Sequence, residues 1–213
     1  MRIISPSLLA ANFSNISEDI KSVEKAGVNR LHLDVMDGHF VPTITFGPFI
    51  IESIRKITNC HLETHLMINN TNEMLDQYIE AGSDTIIIHL ESSINPVEEL
   101  KYIRKKDKIA GIALNPNTSE ELIRPLLNHI DYILIMSVHP GKGGQSFISD
   151  TLNKMNNIVE MTKNLNITIA VDGGVNINTI KQIYSTGIDI VIVGSGLFNA
   201  TNINKRYNNL LNA

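Results

Sequence analysis

The most constraining feature of this chain is a repeated alternation of short, β-branched apolar runs with longer amphipathic segments. Each of the eight runs is nearly continuous in apolar residues rather than alternating with polar ones. Parallel strands covered on both faces have this pattern. The pattern predicts strands over Ile3–Leu8, Arg30–Met36, His61–Ile68, Thr85–Leu90, Ile109–Leu114, Tyr132–Val138, Ile167–Val171 and Asp189–Val193.

The amphipathic segments between these runs carry helix-boundary signals. Thr118, with Glu121 three residues later, forms a capping-box signature, and Gly27, Gly82 and Gly187 each follow the end of a segment. The predicted helices run from Ser14 or Ser17 to Ala26, over Phe49–Ile57, from Thr71 or Asn72 to Ala81, over Pro96–Lys105, from Thr118 onward, over Leu152–Leu165, from Asn176 or Asn178 to Thr186, and over Ile203–Leu211.

These units fix the expected architecture. The chain has 213 residues, so eight β/α units have about 27 residues each, which is within the size range of a (β/α)8 TIM barrel. The sequence shows no linker or change in composition, so residues 1–213 are expected to form one barrel domain. The alternative is a doubly wound open sheet. It is disfavoured because no GxGxxG follows the first strand and polar residues end many strands rather than clustering at one switch point.

Composition excludes several classes of function. Lys and Arg total 18 and Asp and Glu total 22, so the net charge is −4, which argues against a nucleic-acid or membrane-surface partner. No run approaches the roughly 20 apolar residues of a membrane span, and Pro6 interrupts the N-terminus before a signal-peptide core. Cys60 is the only cysteine, so we expect no internal disulfide and a cytoplasmic location.

Polar residues at the strand ends predict a metal centre. In the second strand His32 and Asp34 share one face, in the third strand His65 faces the same way as Glu63, and Asp172 ends the seventh. The carboxyl ends of barrel strands meet at one mouth, so these side chains are expected to converge. Imidazole nitrogens and carboxylate oxygens suit Zn²⁺, Fe²⁺, Mn²⁺ or Co²⁺ without distinguishing them.

Glycine-rich turns and methionines follow other strands. Gly141-Lys142-Gly143-Gly144, Gly173-Gly174 and Gly194-Ser195 follow the last three strands, where barrels often bind phosphate. The alternative is that these glycines only form tight turns. Met36, Met67 and Met136 lie near strand ends and are expected either to fill the core or to line the mouth. Binding and structural roles both stay open for four other polar strand-end residues: His89, Glu91, Asn115 and Gln145.

Several of these segments resemble the ribulose-phosphate 3-epimerase family. The resemblance runs from the first strand to the last, and its most specific block is the sequence HLDVMDGHFVP at residues 32–42. It implies a barrel that interconverts ribulose 5-phosphate and xylulose 5-phosphate with one divalent metal. The other matching segments are SPSLLAANF at residues 5–13, HLM at 65–67, ALNP at 113–116, VDGGV at 171–175 and GSGLF at 194–198.

The resemblance also implies roles for individual residues. His32, Asp34, His65 and Asp172 match the metal ligands of the family, and Asp34 and Asp172 match its acid/base pair, which moves protons through a metal-stabilised 2,3-enediolate. The implied substrate contacts are Ser7, His65, Gly141, Lys142, Gly143, Gly144, Asp172, Gly173, Gly174, Gly194 and Ser195. A homo-oligomer is also implied.

The chain departs from the family pattern in the sixth loop. Lys142 stands where Phe is usual, and His139 precedes Pro140 where Asn or Glu is common. Three alternatives stay open: a 3-epimerase of a hexulose 6-phosphate such as allulose 6-phosphate, a metal-independent phosphosugar lyase or decarboxylase, and a non-catalytic sugar-phosphate binding barrel. The lyase would use a buried catalytic Lys, and the predicted strand cores contain none.

Overall fold

A computed structural model describes residues 2–213 as a ring of eight parallel strands surrounded by helices. Each strand from β2 to β7 pairs with the next one along the chain, and β8 pairs with β1. A parallel bridge between Ser7 and His32 joins the first two strands and completes the ring. The strands are β1 (Ile3–Pro6), β2 (Arg30–Met36), β3 (His61–Met67), β4 (Thr85–His89), β5 (Ile109–Leu114), β6 (Tyr132–Met136), β7 (Thr168–Asp172) and β8 (Ile190–Val193).

Helices follow the strands around the outside of the ring. Among residues 2–213, no helix combines the length and the apolar character needed to cross a bilayer. Short 3-10 helices cover Leu8–Ala10, Phe13–Asn15 and Glu120–Leu126. The α-helices are α1 (Ile16–Lys25), α2 (Pro48–Arg55), α3 (Thr71–Glu80), α4 (Pro96–Lys105), α5 (Thr151–Thr162), α6 (Ile180–Tyr184), α7 (Ser195–Phe198) and α8 (Ile203–Leu211).

Strand periodicity divides the apolar core into two layers. Leu31 and Leu33 of β2 point outward and pack with the helices in the larger cluster of buried side chains. The second cluster fills the ring with residues such as Leu134 and Ile192. Successive strand residues point to opposite faces, so the polar residues between the outward-facing leucines lie inside. The predicted barrel and the orientation of His32 and Asp34 are both confirmed.

The connection between β5 and β6 differs from the predicted capping box. Ser119, not Thr118, caps this segment by accepting a hydrogen bond from the backbone N–H of Glu121. The segment is a 3-10 helix with Pro125 inside it, and the missing N–H of Pro125 removes one backbone hydrogen bond from the segment. The Thr118 hydroxyl instead donates to the Glu91 carboxylate, which ties two loops together at the mouth.

Other boundaries are also corrected. The first strand is shorter than predicted because Pro6 ends it and a 3-10 turn follows. Asn15 rather than Ser14 or Ser17 precedes α1, and Thr179 rather than Asn176 or Asn178 precedes the short α6. Helix α7 was not predicted. Gly27 and Gly82 adopt the positive φ expected after helix ends.

A buried ion pair lies inside the ring below the mouth. The Glu63 side chain is fully buried and pairs with the Arg30 guanidinium. It also accepts hydrogen bonds from Ser5 Oγ at 2.6 Å and from the Tyr132 hydroxyl at 3.2 Å. These donors compensate a charge that would otherwise be costly in an apolar interior.

We expect Arg30→Met to lower the free energy of unfolding by about 3 kcal/mol, because it removes the Arg30 guanidinium from the buried Glu63 carboxylate. Chemical denaturation measures this change. The control is Arg124→Met, which removes an exposed i,i+3 pair with Glu121 and should leave stability close to that of the unmodified protein. Equal effects of the two substitutions would show that the Arg30–Glu63 pair does not stabilise the barrel.

Candidate metal and substrate site

Four side chains from three strands meet at the carboxyl end of the barrel. His32 and Asp34 come from β2, His65 from β3 and Asp172 from the end of β7. The pairing register sets Asp34 directly beside His65. One nitrogen or carboxylate oxygen from each residue lies within 4.8 Å of those of the other three. The structure thus brings together all four residues proposed as metal ligands.

Three of these ligand atoms form a nearly equilateral triangle. Asp34 Oδ1 lies 3.3 Å from His32 Nε2 and 3.2 Å from His65 Nδ1, and the two nitrogens are 3.4 Å apart. One ion can lie about 2 Å from all three atoms, and this distance matches the bond lengths of a transition-metal cation to imidazole and carboxylate. The donor set and its spacing therefore fit one divalent cation.

The two aspartates have opposite pKa shifts. Burial opposes ionisation of Asp34, but the nearby His32 and His65 outweigh it and hold the pKa of Asp34 well below its usual range. Burial, and then repulsion from Asp34, raise the pKa of Asp172 to about 7. Two carboxyl groups separated in this way are suited to opposite proton-transfer roles at neutral pH.

The two histidines also differ. Burial lowers the pKa of His65 to about 3, although the Asp34 carboxylate 3.2 Å away favours the charged form, so His65 is neutral. Burial also disfavours charge on His32, but Asp34 and Glu63 outweigh it and raise the pKa of His32 to about 10. A ligand nitrogen must carry a free lone pair. Cation binding therefore has to displace a proton from His32 but not from His65.

Two serines hold the aspartates in place. Ser7 Oγ donates to Asp34 Oδ2 at 2.6 Å, which leaves Oδ1 facing the triangle. Ser137 lies 2.9 Å from the carbonyl oxygen of Asp172 and 2.7 Å from that of Gly173, both through its Oγ. Ser7 was predicted as a substrate contact, whereas Ser137 was missed because a lone Ser after an apolar strand gives no distinguishing signal.

A cavity opens directly above this cluster. Its empty volume is about 530 Å³, a figure that includes space open to solvent. Met36, Met67 and Met136 are buried and form part of its wall. Every predicted substrate-contact residue except His65, which lies beneath the floor, lines the cavity: Ser7, Gly141, Lys142, Gly143, Gly144, Asp172, Gly173, Gly174, Gly194 and Ser195.

The glycine turns at the rim require glycine for steric reasons. Gly173 and Gly174 both have positive φ, and a Cβ on Gly173 would lie 2.8 Å from the backbone nitrogen of Val138. The amides of Gly174, Gly194 and Ser195 donate no hydrogen bond to another group within residues 2–213. Unpaired amides on one wall are the arrangement that binds phosphate oxygens.

Of the remaining polar candidates, Gln145, His89 and Glu91 have structural side-chain partners. Gln145 Nε2 donates to the carbonyl oxygens of His139 and Lys142 and so braces the sixth loop. The backbone N–H of Asn115 donates to the Glu91 carboxylate, whereas the side-chain Oδ1 of Asn115 is buried with no hydrogen-bond partner among residues 2–213. His89 lies between Glu91 and His65, which connects it to the cluster without bringing it into the cavity.

Comparisons with known proteins show the family of this chain. A sequence model described as the ribulose-phosphate 3 epimerase family matches residues 3–198. Ribulose-phosphate 3-epimerase from Synechocystis sp. is 42% identical over 204 residues, covering 94% of this chain and 89% of that protein. The enzyme of the same name from Chlamydia muridarum is 40% identical over 213 residues, covering 98% and 93%.

Solved structures share the fold at low identity. KGPDC from Streptococcus mutans superposes with a TM-score of 0.73 at 14% identity, covering 99% of this chain and 95% of that one. A 3-hexulose-6-phosphate synthase from Salmonella typhimurium gives a TM-score of 0.71 at 17% identity, covering 100% and 97%. These likenesses support the barrel architecture and nothing finer.

We expect Gly173→Ala to lower the free energy of unfolding by about 3 kcal/mol, from backbone strain and from overlap with Val138. Gly27→Ala is the matched control, because Gly27 has a φ of +101° but no atom lies within 4 Å of the place that a Cβ would take. It should cost about 1 kcal/mol from strain alone. Chemical denaturation of both variants tests the difference, and equal losses would contradict close packing at the Gly173 turn.

Proposed function

Because the chain belongs to the ribulose-phosphate 3-epimerase family, we propose that it interconverts D-ribulose 5-phosphate and D-xylulose 5-phosphate. The observation that carries the proposal is the pair Asp34 and Asp172, whose carboxyl groups approach within 4.8 Å on the floor of a cavity rimmed by glycine turns. Epimerisation at C3 needs two acid/base groups on opposite faces of one carbon. A protein that only binds sugar phosphates has no need for such a pair.

The proposed reaction is a proton transfer across C3. Ionised Asp34 removes the C3 proton from one epimer, and the C3 anion is then protonated on its other face by the protonated form of Asp172. The reverse reaction exchanges the two roles, so each aspartate serves as base for one epimer. In the metal-free site the pKa of Asp172 is raised to about 7, which supports Asp172 as the carboxyl group that begins as the acid.

Four residues would hold a divalent cation in this scheme: His32, Asp34, His65 and Asp172. The cation would supply Lewis-acid stabilisation of negative charge that develops on the substrate oxygens next to C3. Zn²⁺, Fe²⁺, Mn²⁺ and Co²⁺ all suit these donors. The methionine wall, formed by Met36, Met67 and Met136, would keep water away from the reacting carbon.

The opposite side of the cavity is suited to the phosphate group. Amides of Gly174, Gly194 and Ser195 point to no other acceptor within residues 2–213, and Lys142 adds a positive charge at the rim. Binding the phosphate away from C3 would orient the substrate for proton transfer. A homo-oligomeric state and a cytoplasmic location stay predictions, the first from the family and the second from the single cysteine.

Exchange of the C3 proton with deuterated solvent tests the two aspartates. We expect Asp34→Asn and Asp172→Asn each to reduce epimerisation by at least about 10³-fold. Asp172→Asn should still exchange the C3 proton of one epimer without inverting it, because Asp34 still faces that proton, and Asp34→Asn should show the opposite preference. NMR of each purified epimer in D₂O measures both processes.

Metal analysis of each variant accompanies this assay, so that loss of the cation is not mistaken for loss of a base. Chelation of the unmodified protein should abolish turnover, and added Mn²⁺, Zn²⁺ or Co²⁺ should restore it. Inversion at a near-normal rate in either variant would contradict the two-aspartate mechanism. A higher kcat/KM for a hexulose 6-phosphate than for the pentulose phosphates would identify a different substrate.

Lys142→Met is expected to raise KM for the phosphorylated substrate by about fivefold with little change in kcat, because it removes a charge that binds ground and transition states alike. The effect should shrink as ionic strength rises. The control is Lys21→Met on the outer surface of α1, which should change neither constant. An unchanged KM for Lys142→Met would exclude a role of this side chain in phosphate binding.

A further inference from the structure

We propose that His89 and Glu91 act as a positioning relay that holds His65 in the tautomer whose Nδ1 lone pair faces the triangle of ligand atoms. Neither residue lines the cavity. The relay concerns the same site as the proposed function, and its value to the protein rests on that function. The arrangement itself stands on hydrogen-bond geometry.

The relay is a continuous line of three side chains. His65 Nε2 lies 2.8 Å from His89 Nε2, and His89 Nδ1 lies 2.9 Å from Glu91 Oε2. The other carboxylate oxygen, Glu91 Oε1, accepts hydrogen bonds from the Asn115 amide at 2.8 Å and from the Thr118 hydroxyl. Both oxygens of Glu91 are therefore engaged, and each has a fixed role.

The direction of the hydrogen bonds follows from the acceptor at the end of the line. Burial opposes ionisation of Glu91, but hydrogen bonds from His89, Thr118 and Asn115 outweigh it and lower its pKa to about 2. An ionised carboxylate only accepts hydrogen bonds, so His89 Nδ1 donates. In the proposed relay the other ring nitrogen of His89, Nε2, is the acceptor, so His65 donates from its Nε2 and its lone pair is left on Nδ1.

The surroundings prevent water from replacing this line. The side chains of His65 and His89 have no exposed surface. Their rings lie edge to edge with centroids 4.9 Å apart, and the Phe40 ring centroid lies 4.7 Å from that of His89. Tautomer preference at His65 is therefore set by the hydrogen-bond partners within the protein.

The opposite tautomer would compete directly with a cation. Its Nδ1–H would donate to Asp34 Oδ1, only 3.2 Å away, and both ligand atoms would be occupied by that hydrogen bond. The relay instead sets two lone pairs against each other, an arrangement that a cation relieves. Partners of this kind typically change metal affinity by 10- to 100-fold when they are removed.

Glu91→Gln should reverse the direction of the hydrogen bonds between residue 91, His89 and His65. The Asn115 amide and the Thr118 hydroxyl keep the glutamine carbonyl oxygen at the Oε1 position, so its NH₂ group faces His89 Nδ1 and donates to it. His89 then donates to His65 Nε2, and the His65 proton moves to Nδ1. His89→Leu is the second variant, and it removes the acceptor for the His65 Nε2–H outright.

Two measurements on purified protein test the relay. Long-range ¹H–¹⁵N NMR of the metal-free protein reports which nitrogen of His65 carries the proton, and competition with a chelating dye gives the Zn²⁺ affinity. We expect a proton on Nε2 in the unmodified protein and on Nδ1 in Glu91→Gln, with Zn²⁺ affinity reduced by about 10- to 100-fold in both variants. Glu98→Gln, an exposed change on α4, should alter neither result.

The relay is wrong if His65 carries its proton on Nδ1 in the unmodified protein, or if Glu91→Gln leaves both the tautomer and the Zn²⁺ affinity unchanged. A purely structural role would lower the melting temperature without moving the proton, and this outcome also overturns the proposal. The tautomer is measured without substrate or metal. A failure of the epimerase proposal would therefore appear in the turnover assays and leave this result intact.

Discussion

The structure depends on how a carboxylate is accommodated inside an apolar barrel. Asp34 lies almost fully buried, yet the pKa of its side chain is held low by His32 and His65, and Ser7 donates to its second oxygen. Removing an unpaired charge from water would cost several kcal/mol. The His32 and His65 side chains that stabilise the buried Asp34 carboxylate are also candidate ligands of a cation. The contacts that allow this charge to be buried therefore also form the candidate site.

A second buried carboxylate, that of Glu63, is also stabilised by its neighbours, one layer deeper inside the barrel. Glu63 and His65 both point inward from β3, two residues apart. Glu63 forms an ion pair with Arg30. His65 belongs to the group of four candidate metal ligands and contacts His89 of the His89–Glu91 relay. The interior is thus divided along its axis into a charge pair that supports the barrel and a ligand set at its mouth. Substitutions in the two layers should therefore affect different properties.

Much of this arrangement could be predicted because strand periodicity is a local property. The alternation in β2 and β3 sets His32, Asp34 and His65 on the inner face, and barrel topology brings Asp172 to the same end. Side-chain pairings between neighbouring strands could not be predicted, because they depend on the register in which the strands pair. Arg30 meets Glu63 only because β2 and β3 pair as they do, and the capping role passed from Thr118 to Ser119 because Glu91 is an available acceptor for the threonine hydroxyl.

Contacts between loops could not be predicted from local sequence, because their partners are distant along the chain. Glu91 lies in the segment after β4, but its partners Asn115 and Thr118 follow β5. One carboxylate therefore joins two loops and also orients His89. If the relay acts as proposed, loop packing and the lone pair at His65 are linked through Glu91. Contacts shared between loops in this way would let loop packing influence the cation site.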